Sequence, residues 1–169
     1  MLLGTQLAEH DNFFYYLVLF FCLAVLSLWH QPKKNLLLYG GLLLVFVTGY
    51  YLDGFVIVGL KQWFDYPRPL LALAADSVNV LSDPKLHHSL PSGHSAFAAL
   101  LVASMWPVLG FKGRIAALMF LLWVGTSRIV LGAHFPADVL AGCLISFAVC
   151  AVLWWLWFRL IKLRSRVLS

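Results

Sequence analysis

Three short stretches of the chain carry residue types that could bind an oxyanion and move protons. In chain order they hold Lys61 and Arg68, then Pro91-Ser92-Gly93-His94, then Ser127-Arg128, His134 and Asp138. Arginine and lysine supply fixed positive charge, whereas histidine changes its charge near neutral pH. These side chains can act together only if the fold brings the three stretches to one place. The rest of the sequence must therefore be interpreted as the scaffold for that site.

The cations indicate a pocket for a tetrahedral oxyanion such as phosphate. Lys61, Arg68 and Arg128 would supply three positive charges, and guanidinium groups suit bidentate contact with phosphate oxygens. Ser92 and Gly93 stand where a helix is expected to begin, and the free N–H groups and positive dipole end of a helix start favour an anion. Glycine also lets the backbone come close to a ligand. We expect these five residues to bind phosphate.

The two histidines and the carboxylate divide into catalytic roles. Asp138, in the first turn of a helix, could hold one imidazole nitrogen of His134 as N–H and leave the other nitrogen free to attack. His94 could protonate the leaving oxygen as a general acid. The hypothesis is in-line attack of His134 on phosphorus, a phosphohistidine intermediate, and hydrolysis by water that His94 activates.

Each of these residues also has a structural or metal-binding interpretation. Asp138 could complement a helix dipole, Lys61 could snorkel at the end of a span, and His134 could be an interfacial loop residue. Two histidines and an aspartate are also ligand types for a divalent metal. Three neighbouring cations would repel such an ion, so we expect no metal and no cofactor.

The composition places this chemistry in a lipid bilayer. Of 169 residues, 62% are apolar and 11% are charged, whereas a soluble domain is about 45–50% apolar and about 25% charged. A water-soluble fold of this size could not bury that excess. The net charge of +5 comes from residues between apolar runs rather than from one basic face, so no nucleic-acid partner is expected.

Five apolar runs are long enough to cross a membrane, which takes about 17–25 residues. They are approximately residues 12–29, 35–60, 92–109, 115–131 and 137–158. We therefore expect an all-α fold, an integral membrane helical bundle with about five transmembrane helices. A single domain over residues 1–169 would contain them all.

The basic residues predict the orientation of this bundle. If the spans alternate, one side receives Lys33, Lys34, Lys112, Arg114, Arg159, Lys162, Arg164 and Arg166. The positive-inside rule makes that side cytoplasmic. We expect a multi-pass protein, in a bacterial cytoplasmic membrane, with its C-terminus in the cytoplasm. All three motifs would then face the periplasm or the cell exterior.

Together the motifs resemble the three-part signature of the type-2 phosphatidic acid phosphatase superfamily, which also includes bacterial acid phosphatases and vanadium haloperoxidases. The matching patterns are Lys-x6-Arg-Pro, Pro-Ser-Gly-His and Ser-Arg-x5-His-x3-Asp, in this order. The resemblance implies that His134 is the nucleophile, Asp138 its orienting partner and His94 the acid/base. It also implies phosphate binding by Lys61, Arg68, Ser92, Gly93 and Arg128. Integral membrane members act on lipid phosphates without a metal and commonly have six spans, one more than this sequence predicts.

The sequence thus predicts an enzyme that hydrolyses a lipid phosphate or diphosphate at the outer membrane interface, with membrane lipids as its surroundings. Polyprenyl diphosphate is slightly favoured, because a compact chain needs only a tail groove and a phosphate pocket. Phosphatidylglycerophosphate, phosphatidic acid and lipid A 1-phosphate are the other candidates. The apolar stretch 70–75 is expected either to lie along the interface beside the route of a lipid tail or to be a loop that only covers the bundle.

Two other functions remain open at this stage. A phosphohistidine could pass its phosphoryl group to another lipid instead of water, which would make the protein a phosphotransferase. A non-catalytic lipid-binding or anion-binding membrane subunit would explain the cations, but gives no reason for the histidines and Asp138 at these spacings. No role follows from the sequence for Asp53, His87 or His88.

Overall fold

The computed structural model describes residues 2–28, 32–74 and 85–167, and among them it contains helices and no strand. The helices are α1 (Leu2–Leu7), α2 (Phe13–Leu28), α3 (Pro32–Phe64), α4 (Pro69–Ala72), α5 (Gly93–Met105), α6 (Phe111–Val130) and α7 (Pro136–Val167), with a 3₁₀ turn at His10–Asn12. Helices satisfy their own backbone hydrogen bonds, as a bilayer requires. The predicted all-α fold is confirmed.

In the described part of the chain, four helical stretches are long and apolar enough to cross a membrane. They are His10–Leu28, Asn35–Ala72, Phe111–Val130 and Pro136–Leu163, and they correspond to four of the five predicted spans. The remaining predicted span, 92–109, corresponds to α5, which has 13 residues. At 1.5 Å per residue this helix is about 20 Å long, shorter than a hydrocarbon core of about 30 Å. It ends before Pro107, which has no backbone N–H to continue the helical hydrogen bonds.

Helix α5 occupies the centre of the bundle. Every residue from Ser95 to Ser104 is buried, and the helix packs against α3, α6 and α7. Small side chains such as Ala99 and Ala103 allow this close approach of neighbouring helices. The N-terminal end of α5 is therefore surrounded by other elements, and this is the end that carries Gly93 and His94.

Aromatic side chains fasten α2 and α3 to α5. Phe13, Phe20, Phe46 and Phe97 belong to one buried cluster, and the rings of Phe13 and Phe46 stack with centroids 5.2 Å apart. The opposite faces of α2 and α3 expose large apolar side chains. A helix that is apolar all round and exposed on one face suits contact with lipid.

Several features named in the sequence predictions lie outside the described residues. These are residue 29 at the end of the first predicted span, residue 75 in the apolar stretch, and the side chains of Lys33, Lys34, Arg164 and Arg166.

Candidate active site

The three motifs meet at one end of the bundle, around a cavity of about 1,420 Å³. Five elements supply its motif residues: Lys61 from the last turn of α3, Arg68 before α4, Gly93 and His94 from the start of α5, Arg128 from the last turn of α6, and His134 from the loop before α7. The remaining two, Ser92 and Asp138, lie behind this wall and are fully or nearly fully buried. The structure thus brings together all eight residues that the sequence predicted to act on phosphate.

His134 reaches the cavity because the chain turns sharply after α6. Gly132 has a φ of 65°, in the left-handed region that glycine adopts without strain. The backbone amides of Ala133 and His134 then donate to the carbonyl oxygen of Arg128. This turn places a buried imidazole on the cavity wall directly before the first turn of α7.

Asp138 stands behind the imidazole, as the predicted catalytic pair requires. Nδ1 of His134 lies 3.5 Å from Oδ2 of Asp138, slightly longer than an ordinary hydrogen bond. Catalytic hydrogen bonds are often this long without substrate and shorten when it binds. Nε2 is then the ring nitrogen that does not face Asp138.

The carboxylate of Asp138 is held in place by two further donors. The hydroxyl of Ser89 and the backbone N–H of Phe135 both donate to Oδ2. In addition, the backbone carbonyl of Asp138 accepts from the N–H of Ser92 at 2.9 Å. Asp138 therefore links His134 to the start of α5. Sequence reasoning missed Ser89, because a single serine outside the three motifs carries no recognisable signal.

Burial lowers the pKa of His134 to about 4. The nearby carboxylate of Asp138 opposes this shift, whereas the charges of Arg68, Lys61 and Arg128 reinforce it. Desolvation disfavours the charged imidazolium more than the carboxylate stabilises it. The imidazole is consequently neutral at neutral pH, which is the state that a nucleophile requires.

The second motif begins α5 as predicted. Ser92 is the N-cap residue, and its fully buried hydroxyl accepts from the backbone N–H of Ser95. Such a cap satisfies one of the free N–H groups of the first turn. Gly93 follows as the first helical residue, and His94 lies in the same turn on the cavity wall.

Main-chain oxygens orient two of the three cations. Arg68 donates from Nε to the carbonyl of His87 at 3.0 Å and from Nη1 to that of Ala133 at 3.2 Å. Lys61 donates from Nζ to the carbonyl of His88 at 3.1 Å. The segment at His87 and His88, which had no role in the sequence analysis, therefore supports the cationic wall through its backbone.

Arg128 is held by a part of the chain that the motifs do not include. The residue is 6% exposed, and Nη1 of its guanidinium donates to Oγ1 of Thr5 at 3.3 Å. Its buried Nε has no partner among the described residues. Residues 2–12, which we call the N-terminal segment, also contribute Glu9 and His10 to the cavity wall. The polar run Glu9-His10-Asp11 before an apolar stretch was the only available signal for this contribution.

The cavity carries a net positive charge. The described residues that line it include four cations and two carboxylates: Lys61, Arg68, Lys85, Arg128, Glu9 and Asp11. Within the described residues, no three His, Cys, Asp or Glu side chains are grouped so that they could hold a metal ion. The excess of cations over carboxylates along the cavity wall suits the binding of an anion.

An apolar wall extends the cavity along α3. Tyr51, Gly54, Phe55 and Val58 line this part, and Phe55 is 81% exposed. Residues 70–74, the described part of the stretch expected to flank a lipid tail, are not among the lining residues. The apolar surface next to the cations thus comes from α3 rather than from α4.

Comparisons with known proteins agree with this architecture. The family model described as PAP2 superfamily matches residues 41–162. Phosphatidylglycerophosphatase B of Escherichia coli strain K12 is 39% identical over 75 residues, which are 40% of this chain and 28% of that protein. Lipid A 1-phosphatase of Rhizobium etli is 39% identical over 54 residues, covering 32% of this chain and 23% of that protein. The chain thus matches less than a third of the length of these relatives.

Two crystal structures share the fold over most of the chain. LpxE from Aquifex aeolicus superposes with a TM-score of 0.67 and 25% identity, over 89% of this chain and 80% of that one. The transmembrane PAP2-type phosphatidylglycerolphosphate phosphatase from Bacillus subtilis superposes with a TM-score of 0.62 and 25% identity, over 89% and 71%.

Proposed function

The chain belongs to the PAP2 superfamily, and we propose that it hydrolyses a lipid phosphate or diphosphate through a phosphohistidine intermediate. One observation carries the proposal: His134 and His94 line the same cavity as Lys61, Arg68 and Arg128. Two imidazoles facing a cluster of cations can attack and protonate a bound phosphate group. A binding protein for an anion would need the cations only.

The reaction would proceed in two displacements on phosphorus. First, Nε2 of His134 forms a bond to phosphorus while the bond from phosphorus to the leaving oxygen breaks, and His94 gives that oxygen a proton. Second, His94 takes a proton from water, whose oxygen attacks phosphorus as the P–N bond breaks. Inorganic phosphate leaves, and both imidazoles regain their initial states.

The cations would stabilise the charge that develops on the phosphoryl oxygens. Preorganised donors in a buried site are the largest contribution to many enzymatic rate enhancements. Arg68 donates to two main-chain oxygens, and Nη1 of Arg128 donates to the hydroxyl of Thr5. Both guanidinium groups are therefore positioned before the substrate arrives.

A lipid is the substrate class that fits the shape of the cavity. The apolar wall of α3 begins beside the cations, and a Cβ added at Gly54 or Gly59 would meet no atom within 4 Å. Open space on a lipid-facing helix could receive a hydrocarbon tail while its headgroup enters the cationic end. The names of the relatives favour phosphatidylglycerophosphate or lipid A 1-phosphate, and polyprenyl diphosphate and phosphatidic acid complete the panel to be tested.

We further propose that the cavity opens on the periplasmic or outer side of a bacterial cytoplasmic membrane. The distribution of lysine and arginine along the sequence supports this orientation. A headgroup already at that interface would reach the cations without leaving the membrane plane.

The proposal is tested with purified protein in detergent, the four lipid phosphates, and EDTA present throughout. We expect phosphate release that persists in EDTA, is inhibited by orthovanadate, and is abolished in His134→Ala. The variant must elute and unfold like the parent protein, so that loss of activity reports the missing imidazole. Release that is unchanged in His134→Ala would refute the assignment of the nucleophile.

The same assay separates the alternatives. Loss of activity in EDTA with recovery on adding Zn²⁺ or Mn²⁺ would favour a metal-dependent reaction. Transfer of ³²P to an acceptor lipid without release of free phosphate would identify a phosphotransferase. Binding of the lipids without turnover would identify a non-catalytic subunit.

A further inference from the structure

The N-terminal segment (residues 2–12) is packed firmly against the bundle. Helix α1 lies on α6, and Ala8 is fully buried with Ala98 and Val124. A Cβ added at Gly4 would stand 3.2 Å from the ring of Trp123. Small residues at these two positions let α1 approach α6 closely. The N-terminal segment is therefore a packed, integral part of the cavity wall.

Through Thr5, this segment positions one of the phosphate-binding cations. The hydroxyl of Thr5 accepts from Nη1 of Arg128 at 3.3 Å and lies 3.2 Å from the hydroxyl of Ser127. Glu9 is near enough to interact electrostatically with Arg128. Because Arg128 lines the cavity, this contact with Thr5 helps to fix the orientation of its guanidinium group there.

Through His10, the segment places a third imidazole beside the start of α5. Nε2 of His10 lies 3.5 Å from the position that a Cβ at Gly93 would occupy. The ring packs on Phe97 and Tyr50 with centroid distances of 5.1 Å and 5.9 Å. The hydroxyl of Tyr50 donates to the backbone carbonyl of His10. The imidazole is thus held at the cavity wall, next to the residues expected to bind phosphate.

We propose that the N-terminal segment completes the substrate site, with Thr5 positioning Arg128 and His10 binding an oxygen of the substrate above Gly93. This inference rests on the proposed function, because it adds contacts to the same phosphate group. Neither residue belongs to the three motifs. His10 acts by donating a hydrogen bond, whereas Thr5 acts only through the guanidinium that it orients.

The contribution of Thr5 is tested with a matched pair of variants. Thr5→Val keeps the shape of the side chain and removes the acceptor, whereas Thr5→Ser keeps the acceptor. We expect Thr5→Val to raise both KM for the lipid phosphate and the inhibition constant of orthovanadate about tenfold. Thr5→Ser should stay close to the parent protein. Leu3→Ala, at an exposed position of the same helix, controls for changes in α1 itself.

The contribution of His10 is tested in the same way. His10→Phe preserves the ring contacts with Phe97 and Tyr50 but removes both nitrogens, and should raise the same two constants about tenfold. His10→Gln places an amide N–H near the position of Nε2 and should recover most of the affinity. Glutamine keeps an N–H but loses the ring, whereas phenylalanine keeps a ring but loses the N–H. If His10 had only a structural role, His10→Gln would therefore be the more damaging change.

Failure of this inference is distinguishable from failure of the proposed function. The proposed function stands if the parent protein hydrolyses the lipid and His134→Ala is inactive. If Thr5→Val and His10→Phe then have the same constants as the parent, the inference about the N-terminal segment is overturned. If the parent releases no phosphate, the proposed function fails, and the dissociation constant of orthovanadate, measured by thermal shift, still tests the two contacts. Should Thr5→Val or His10→Phe fail to fold, wild-type constants in Thr5→Ala and His10→Ala, which remove the same groups with smaller side chains, would equally overturn it.

Discussion

The close approach of α7 to the start of α5 makes Gly142 a sensitive position for catalysis. A Cβ added there would stand 2.5 Å from the carbonyl oxygen of Ser92 and 3.2 Å from the backbone nitrogen of Ala96. Both are main-chain atoms, so they cannot rotate away as a flexible side chain could. Gly142→Ala must therefore move α7 and the Ser92 turn apart.

The size of this movement follows from the contact distance. Ordinary van der Waals contact begins at 3.4 Å, so the two segments must separate by about 0.9 Å. One turn before Gly142, the backbone carbonyl of Asp138 accepts a hydrogen bond from the N–H of Ser92. The same movement would stretch that hydrogen bond. The carboxylate of Asp138 behind His134 would then shift relative to the turn that carries His94.

We expect Gly142→Ala to lower kcat about a hundredfold, because a displacement of about 1 Å in a catalytic arrangement has an effect of that size. The introduced overlap should also destabilise the protein by about 1–3 kcal/mol. Phosphate release at saturating lipid measures the first effect, and thermal unfolding in detergent measures the second. Activity is to be measured below the unfolding range of the variant.

Gly40→Ala is the matched control on α3. A Cβ at this position would meet no atom within 4 Å, and replacing glycine by alanine inside a helix is favourable by roughly 0.5–1 kcal/mol. The control should therefore retain full activity and unfold at the same or a slightly higher temperature. A kcat for Gly142→Ala within twofold of the parent would show that the contact does not control the site.

Two further predictions concern the catalytic pair. The lowered pKa of His134 places the midpoint of the acid limb of kcat/KM near pH 4, because the imidazole must be neutral to attack. A midpoint near the ordinary histidine pKa of about 6.5, after allowance for ionisation of the lipid phosphate, would contradict the burial argument. Ser89→Ala removes a hydrogen bond to the carboxylate of Asp138 and should lower kcat about tenfold with KM unchanged. An effect confined to KM in steady-state assays would instead assign Ser89 to substrate binding.

Features that depend on short stretches of chain were predictable from the sequence. The apolar runs indicated a helical membrane bundle, and the Pro-Ser-Gly pattern indicated the helix that begins at Gly93. The pattern around His134 indicated a loop residue followed by Asp138 in the first turn of a helix. Such signals are local, because helix starts and the length of apolar runs are determined by neighbouring residues.

The length of α5 and the position of the apolar cavity wall were harder to predict. Hydropathy continues to Leu109, but the helix ends at Met105, because Pro107 has no backbone N–H to continue the helical hydrogen bonds. The stretch 70–75 is apolar, yet α3 lines the cavity, because lining depends on which helix faces the cations. Composition alone does not contain that information.

The sequence by itself determined which residue types are present and in what order, and therefore that the chain suits a membrane and that its motifs suit a phosphate. Only the tertiary structure decided that Thr5 meets Arg128 and that Ser89 meets Asp138. It also decided the direction in which the pKa of His134 moves. The physical reason is that hydrogen bonding and desolvation act through space, and they pair residues that are far apart along the chain. Every residue offers a backbone oxygen, but only the folded chain brings those of His87 and Ala133 to Arg68.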